Sequence, residues 1–282
     1  MESNLINIKE EELEILLTDI KNKYGYNFKE YSETSLTRRI NRIFIINRIP
    51  SYAELHYRVL NDTDFFGNFL EAVTVNVTEM FRDPLFYVAL KEKVFPQLAT
   101  YPFIRIWHAG CSTGEEIYSM AILLKEYGLL HKCLLYATDI NQEVLEKAQK
   151  GIFPLSAMKT YSENYIKTGG TQQFSDYYTA NYGHAKFDTE LTKRMVFSSH
   201  NLATDQSFNE FNLVVCRNVL IYFKRSLQNT VLGLFRKSLA PLGYLALGSK
   251  ESIRFSEHNK CFVEIDKKNK IWRMEKDVSE KP

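Results

Sequence analysis

The sequence predicts an α/β protein, a parallel sheet covered by helices on both faces, preceded by an all-helical part. Three observations carry this. Up to about residue 95, apolar residues recur at helical spacing. From about residue 103, short apolar strands alternate with helical stretches, the pattern of a parallel sheet buried on both sides. Between residues 104 and 118 the run I-R-I-W-H-A-G-C-S-T-G-E-E-I-Y leads an apolar strand through a small-residue loop into a helix.

The first helix opens around Ile8-Lys-Glu-Glu-Glu-Leu13, with acids in its first turn, where the helix dipole favours them. Leu13, Leu16, Leu17 and Ile20 share one face, and Lys23-Tyr-Gly-Tyr-Asn27 stops the helix. Further helices are expected over 35–48, 52–61, 65–75 and 84–98. Pro96 and Pro102 mark a join, which divides the chain into a helical domain, 1–95, and an α/β domain, 96–282. In the second domain, strands are expected over 103–109, 133–138, 212–216 and 243–248. Helices are expected over 115–127, 142–149 and 226–239, with a closing hairpin of 261–265 and 270–274. The stretch 161–197, rich in Tyr, Thr, Gly and Asn, reads as a small antiparallel insertion with strands near 177–182 and 195–197.

Composition narrows the class. With 282 residues, 45% of them hydrophobic and 25% charged, the chain has the make-up of an ordinary globular protein with a real core. A formal charge of +2 gives no overall attraction to nucleic acid or membranes, so any charge argument is local. No apolar run approaches the roughly 20 residues that span a bilayer, and the start, Met1-Glu-Ser-Asn4, is unlike a signal peptide. Four cysteines without a C-x-x-C pair read as reduced, in a cytoplasmic protein. The six histidines form no H-x-x-x-H pair, so no metal site is expected.

The loop from Gly110 to Gly114 holds no basic residue and runs into Glu115 and Glu116. A strand–glycine loop–helix unit brings backbone close to a ligand. Here the acids argue against a phosphate and for hydroxyls or positive charge. Asp139 ends the second strand, where it either accepts the two hydroxyls of a ribose or caps the next helix. Taken together, these features point to adenosine binding without a pyrophosphate. Arg217, Asn218 and Tyr222 follow an apolar strand at its carboxyl end, the ligand side of such a sheet. Asn76, Thr78 and Arg82 precede Pro84. On residue types alone they read as a capping turn with an exposed Arg–Asp pair.

The motifs N-x-T-x-x-F-R-D, A-x-C-S-T-G-E-E-x-Y-S, T-D-I-x-x-x-V-L-x-x-A, N-L and C-R-N-V-L-I-Y-F occur in this order. Together they resemble the chemotaxis receptor methyltransferases, the CheR family, over nearly the whole chain. That resemblance implies a Rossmann-like methyltransferase domain that binds S-adenosylmethionine, with an all-helical domain before it. It implies O-methylation of receptor glutamates, with S-adenosylhomocysteine as the product and no metal. By motif, Asn76, Thr78 and Arg82 would reach the cofactor, and Glu116 would lie near it. Asp139 would hold the ribose, Asn201 and Leu202 would border the adenine, and Arg217 and Asn218 would line the site. Arg82 and Tyr222 resemble the residues the family places beside the transferred methyl. Met80 stands where many members carry Phe.

A partner is suggested by local charge. Between residues 34 and 60, five arginines (38, 39, 42, 48 and 58) stand against Glu54 alone, a local charge of +4. Arg38 and Arg42 share a helix face, and with Arg39 they form a candidate docking site for the Glu-rich helices of a chemoreceptor. A receptor C-terminal peptide at the β insert is a further partner in some family members. A nucleic-acid partner is not expected, since no aromatic interleaving accompanies the arginines on the helix face, and no membrane insertion is expected. Two alternatives stay open: a non-catalytic cofactor-binding signalling module, and a methyltransferase of this fold acting on another carboxylate or on RNA.

Overall fold

The computed structural model describes residues 7–74 and 78–275. These residues fall into two compact units, one within Met1–Asn76 and Tyr222–Gln228, the other within Val77–Ile221 and Asn229–Pro282. In the first unit, α1 (Glu10–Tyr24), α2 (Glu33–Ile46), α3 (Tyr52–Asn61) and α4 (Thr63–Thr74) pack on one another. Leu13, Leu16, Leu17 and Ile20 of α1 are all buried, as their spacing requires. Gly25 ends α1 in the left-handed region at φ 80°, its N–H returned to Lys21 O. Tyr24 stacks on Phe66 with ring centroids 3.7 Å apart, joining α1 to α4.

The helical stretch after residue 83 belongs to the second unit. It is α5 (Pro84–Lys93), broken at Val94 from α6 (Phe95–Leu98), whose second residue is Pro96. Phe86, Tyr87, Leu90, Phe95 and Leu98 are buried in the same core as Ile104 and Ile106, which explains their place with the sheet. The alternating region then runs β1 (Ile104–Ala109), α7 (Glu115–Glu126), β2 (Cys133–Asp139), α8 (Gln142–Lys150), β3 (Ile152–Pro154), α9 (Met158–Lys167), β4 (Tyr178–Asn181), β5 (His184–Phe187), α10 (Thr189–Thr192), β6 (Met195–Ser199), β7 (Phe211–Cys216), α11 (Arg225–Ser238), β8 (Leu239–Leu247), β9 (Phe262–Asp266) and β10 (Ile271–Met274).

Seven strands make the main sheet in the order β6-β2-β1-β7-β8-β10-β9. The first five are mutually parallel, and the β9–β10 hairpin adds two antiparallel strands against β8. In β1 and β7 every residue but the second is buried, the near-continuous pattern of strands covered on both faces.

The small antiparallel sheet has the order β3-β5-β4. The structure corrects two details of the sequence reading here. Residues 195–197 lie in β6, paired parallel to β2 in the main sheet, and are not part of the insertion. The insertion takes its third strand from Ile152–Pro154 instead, and it contains a helix, α9, whose Met158, Tyr161 and Tyr165 are buried.

Candidate active site

Strand order reverses beside β1: its neighbour on one side is β2, the next strand in the chain, and on the other β7. In open parallel sheets the crevice outside the carboxyl ends at such a switch point takes the ligand. Four segments meet that rim, following β6, β2, β1 and β7 in sheet order. They are the stretch after Ser199, the Asp139–Asn141 turn, the Gly110–Gly114 loop and Arg217–Asn218.

The glycine loop is shaped by its own packing. Gly110 and Gly114 have φ of 75° and 98°. A Cβ on Gly110 would lie 2.5 Å from Val219 Cγ2, and one on Gly114 would lie 2.8 Å from Ala148 Cβ of α8. Side chains are therefore excluded at both ends whatever the ligand. Gly110 N–H and Cys111 N–H both donate to Thr138 O, at 2.8 and 2.9 Å, which seats the loop on the end of β2.

Asp139 completes that seat. Its Oδ2 accepts the Ser112 N–H at 2.9 Å and its Oδ1 the Asn141 N–H at 3.0 Å. Burial pushes its carboxyl above the usual range, and these backbone donors offset only part of the rise. The cap of α8 is Asn141, whose side chain accepts the Glu143 N–H at 2.9 Å. Capping therefore does not explain Asp139.

The paired glutamates face different surroundings. Glu115 is buried and accepts the Thr113 hydroxyl at 2.6 Å and the Tyr161 hydroxyl at 3.3 Å. Burial raises its pKa, and these bonds only partly counter it. Glu116 meets His108 Nδ1 at 2.9 Å and Arg217 Nη1 at 3.2 Å. A carboxylate only accepts, so His108 Nδ1 is the donor. Burial would lift the Glu116 pKa, but the His108 hydrogen bond and the Arg217 charge together bring it below the ordinary value.

Arg217 connects this helix start to the segment holding Arg82. Its Nη2 donates to Arg82 O at 3.1 Å and to the Asp83 carboxylate at 2.7 Å. Its guanidinium carbon lies 4.2 Å from the centroid of the Phe86 ring. Arg82, Glu116 and Arg217 are thus brought together within the second unit.

The remaining expected residues are more scattered. Asn218, at φ 62°, donates its N–H to Glu251 at 3.0 Å. Asn201 Oδ1 accepts the Ala203 N–H at 3.0 Å, a local turn following His200, and Leu202 is buried. Thr78 is partly exposed. Asn76 lies outside the described residues. Tyr222 belongs to the first unit, where its carbonyl accepts the Ser32 N–H at 2.8 Å.

Arg39 corrects the expected docking face. It is buried in the first unit, with its guanidinium 4.4 Å from the Tyr222 ring centroid and Nη1 donating to Val73 O. Arg38 and Arg42 are exposed, with Ile45 and Ile46 beside them.

Two residues escaped the sequence reading. Glu251 is buried and gathers the N–H groups of Gly248 (2.6 Å), Asn218 (3.0 Å), Ile221 (3.3 Å) and Leu220. Its signal, one acid in Gly-Ser-Lys-Glu-Ser, resembles any solvated loop. His108 is fully buried on β1, and a polar residue within an apolar strand was the available cue.

Residues 76–271 match the model described as CheR methyltransferase, SAM binding domain, and residues 11–74 match the CheR methyltransferase all-alpha domain. The chain belongs to the CheR methyltransferase family. Among CheR relatives, the Pseudomonas putida protein Cher3, a methyltransferase by provisional name, is 47% identical over 93% of this chain and 96% of its own length. The chemotaxis protein methyltransferase of Salmonella typhimurium is 36% identical over 84% of this chain and 78% of its own. That of Borreliella burgdorferi is 30% identical over 88% and 90%. The second unit is accordingly the S-adenosylmethionine-binding CheR domain, and its residues fit that ligand. Asp139 keeps lone pairs beyond the two N–H groups it accepts. Beside it, Ser112 Oγ and Asn141 Nδ2 have no hydrogen-bond partner. A ribose diol both donates and accepts, and the loop presents no cation to repel a sulfonium. Among the described residues no His, Cys, Asp and Glu cluster could hold a metal ion, and no helix is long and apolar enough to cross a membrane.

Proposed function

We propose that this protein methylates glutamate side chains of chemoreceptors, forming 5-O-methyl esters at the expense of S-adenosylmethionine. One observation carries the reading: the Arg217 guanidinium holds both the Glu116 carboxylate, at the cofactor loop, and the Arg82 carbonyl. Arg82 is thereby tied to the loop, and its guanidinium offers paired N–H donors suited to a carboxylate acceptor. Such an acceptor is already ionised at pH 7, so the site needs no general base. When bound, the cofactor supplies an electrophilic methyl on a sulfonium. The chain's own work is to orient the acceptor and exclude water.

In this reading Asp139 takes the ribose, and Asn201 and Leu202 border the adenine. Thr78, Arg82, Glu116, Arg217 and Asn218 line the remainder, with Asn76 as a further cofactor residue by motif. Arg82 orients the acceptor, with Tyr222 assigned to the same task by motif alone. The names of the Salmonella and Borreliella relatives support a chemoreceptor substrate. Arg38 and Arg42 offer the exposed positive face for its Glu-rich helices. β4 is an edge strand of the small sheet, the kind of position where a receptor C-terminal peptide would add as a further strand.

Labelled methyl transfer to receptor-containing membranes tests the reading. Base-labile label in the receptor band is expected, reduced by Arg82→Ala more than cofactor affinity is. Label in RNA would sink it, and cofactor binding without any transfer would favour the non-catalytic module.

A further inference from the structure

The turn that carries Arg82 is held in an unusual backbone conformation. Phe81 and Asp83, on either side of Arg82, have φ of 55° and 57°. Side-chain-bearing residues adopt this region at a cost, and persist there only when their surroundings impose it. Three partners impose it here. Asn164 Nδ2 donates to Met80 O at 3.1 Å, the Phe81 N–H donates to Ser119 Oγ at 2.9 Å, and Arg217 Nη2 donates to Arg82 O at 3.1 Å.

Arg217 is itself fixed. Its side chain is 3% exposed, and Phe86 lies under the guanidinium. Both protons of Nη2 are committed to the turn, one to Arg82 O and one to Asp83. Nη1 is committed to Glu116, which His108 holds from the other side. A path, His108–Glu116–Arg217, buried at both ends and half-buried at Glu116, therefore runs from the end of β1 to the backbone of Arg82. Along it, the one guanidinium faces two carboxylates, Glu116 and Asp83.

We infer that Arg217 is a positioning residue, which holds the strained Phe81–Asp83 turn so that Arg82 keeps a fixed place relative to the cofactor loop. Its pairing with Asp83 is the specific contact that does this. The inference rests on the methyl-transfer reading for the role of Arg82, but the hold on the turn is measurable without it.

Asp83→Asn is the decisive variant, because the Asp83 side chain is 48% exposed and its replacement leaves the core intact. Arg217→Lys is the second. Three quantities are read in the full chain: S-adenosylhomocysteine affinity by calorimetry, kcat and KM for labelled transfer to receptor-containing membranes, and hydrogen exchange at the amides of 81–83. Asp83→Asn is expected to lower kcat at least tenfold while the S-adenosylhomocysteine Kd moves less than threefold, and Arg217→Lys, at a residue that also lines the cofactor site, is expected to lower kcat at least as far. Exchange at 81–83 should quicken at least tenfold, and the double variant should lose no more than the worse single one. A Kd that weakens in step with kcat in Asp83→Asn would mean that this pairing serves cofactor binding rather than the placing of Arg82, and would overturn the inference. Unchanged exchange in Asp83→Asn would overturn it as well. If wild-type protein transfers no methyl to carboxylates, the functional reading fails, while the exchange result still decides whether Arg217 holds the turn.

Discussion

The Asp139 carboxylate accepts the Ser112 N–H at 2.9 Å, so the residue that ends β2 also shapes the loop that follows β1. One oxygen faces that loop, and the other receives the Asn141 N–H. A carboxylate offers about four lone-pair sites, which leaves capacity on both oxygens for a diol. The acid that would bind the ligand thus preorganises the loop against which the ligand lies.

Replacing Asp139 should therefore do two things at once. Asp139→Ala leaves the Ser112 and Asn141 N–H groups without their acceptor, at a cost of about 1–3 kcal/mol for each buried group left unpaired. S-adenosylhomocysteine affinity should fall more than tenfold by calorimetry, and urea unfolding should show the lost stability. Asp139→Asn should lose less stability, because its amide oxygen can still accept one N–H. An unchanged Kd in Asp139→Ala would reject the ribose assignment.

Much of this arrangement was legible in residue order, and what was not has physical reasons. Apolar spacing gave the buried face of α1, and apolar runs gave β1, β2 and β7, because burial on both sides demands them. β6 was misassigned because it is an edge strand, mostly exposed on its own, and only pairing with β2 reveals it. Arg39 looked like its neighbour Arg38. However, adjacent helical residues point about 100° apart, and Leu36, Ile40 and Ile43 around it are buried. Glu251 could not be read at all, because all its partners but Gly248 come from residues 218–221, some thirty positions away. Asp139, Glu116 and Arg217 were legible as positions. That Arg217 grips the Arg82 turn required the fold.

The exposed arginines give a prediction about substrate alone. Arg38 and Arg42 lie one turn apart on α2 with their side chains exposed, whereas Arg39 is buried. Arg38→Glu with Arg42→Glu should raise KM for receptor membranes about tenfold and flatten its dependence on salt. The S-adenosylhomocysteine Kd should stay as in the wild type. Arg39→Ala should behave differently, costing about 1–3 kcal/mol by leaving the Val73 carbonyl unpaired and lowering the melting temperature. Equal effects on KM from all three positions would reject the division of roles.

Glu251 makes the loop after β7 pH-sensitive. Burial raises its pKa, and the N–H groups of Gly248, Asn218, Ile221 and Leu220 offset only part of that rise. Between its unfolded pKa, about 4.3, and the higher folded one, the folded chain keeps a proton that the unfolded chain has lost. Stability from this group therefore falls as pH rises through that window. Glu251→Gln should show a shallower fall there, measured by urea unfolding at stepped pH. It should also lose about 1–3 kcal/mol at pH 7, since its amide NH₂ would face backbone donors. A difference between wild type and variant that does not vary with pH would rule out this titration.

Gly110 separates the demands of packing from those of the ligand. Its φ of 75° disfavours any side chain, and an added Cβ would press on Val219 Cγ2 at 2.5 Å. Gly110→Ala should therefore destabilise the protein by about 2–4 kcal/mol, combining backbone strain with overpacking. Adding Val219→Ala removes the methyl that the new Cβ meets but leaves the φ as it is. The double variant should regain more stability than the separate effects predict, a coupling of about 1 kcal/mol or more for contacting residues, while the backbone part of the loss persists. Urea unfolding of the four proteins in the cycle measures that coupling. Simple additivity would mean the loop moves away from Val219, and the close approach would then not be what requires glycine at this position.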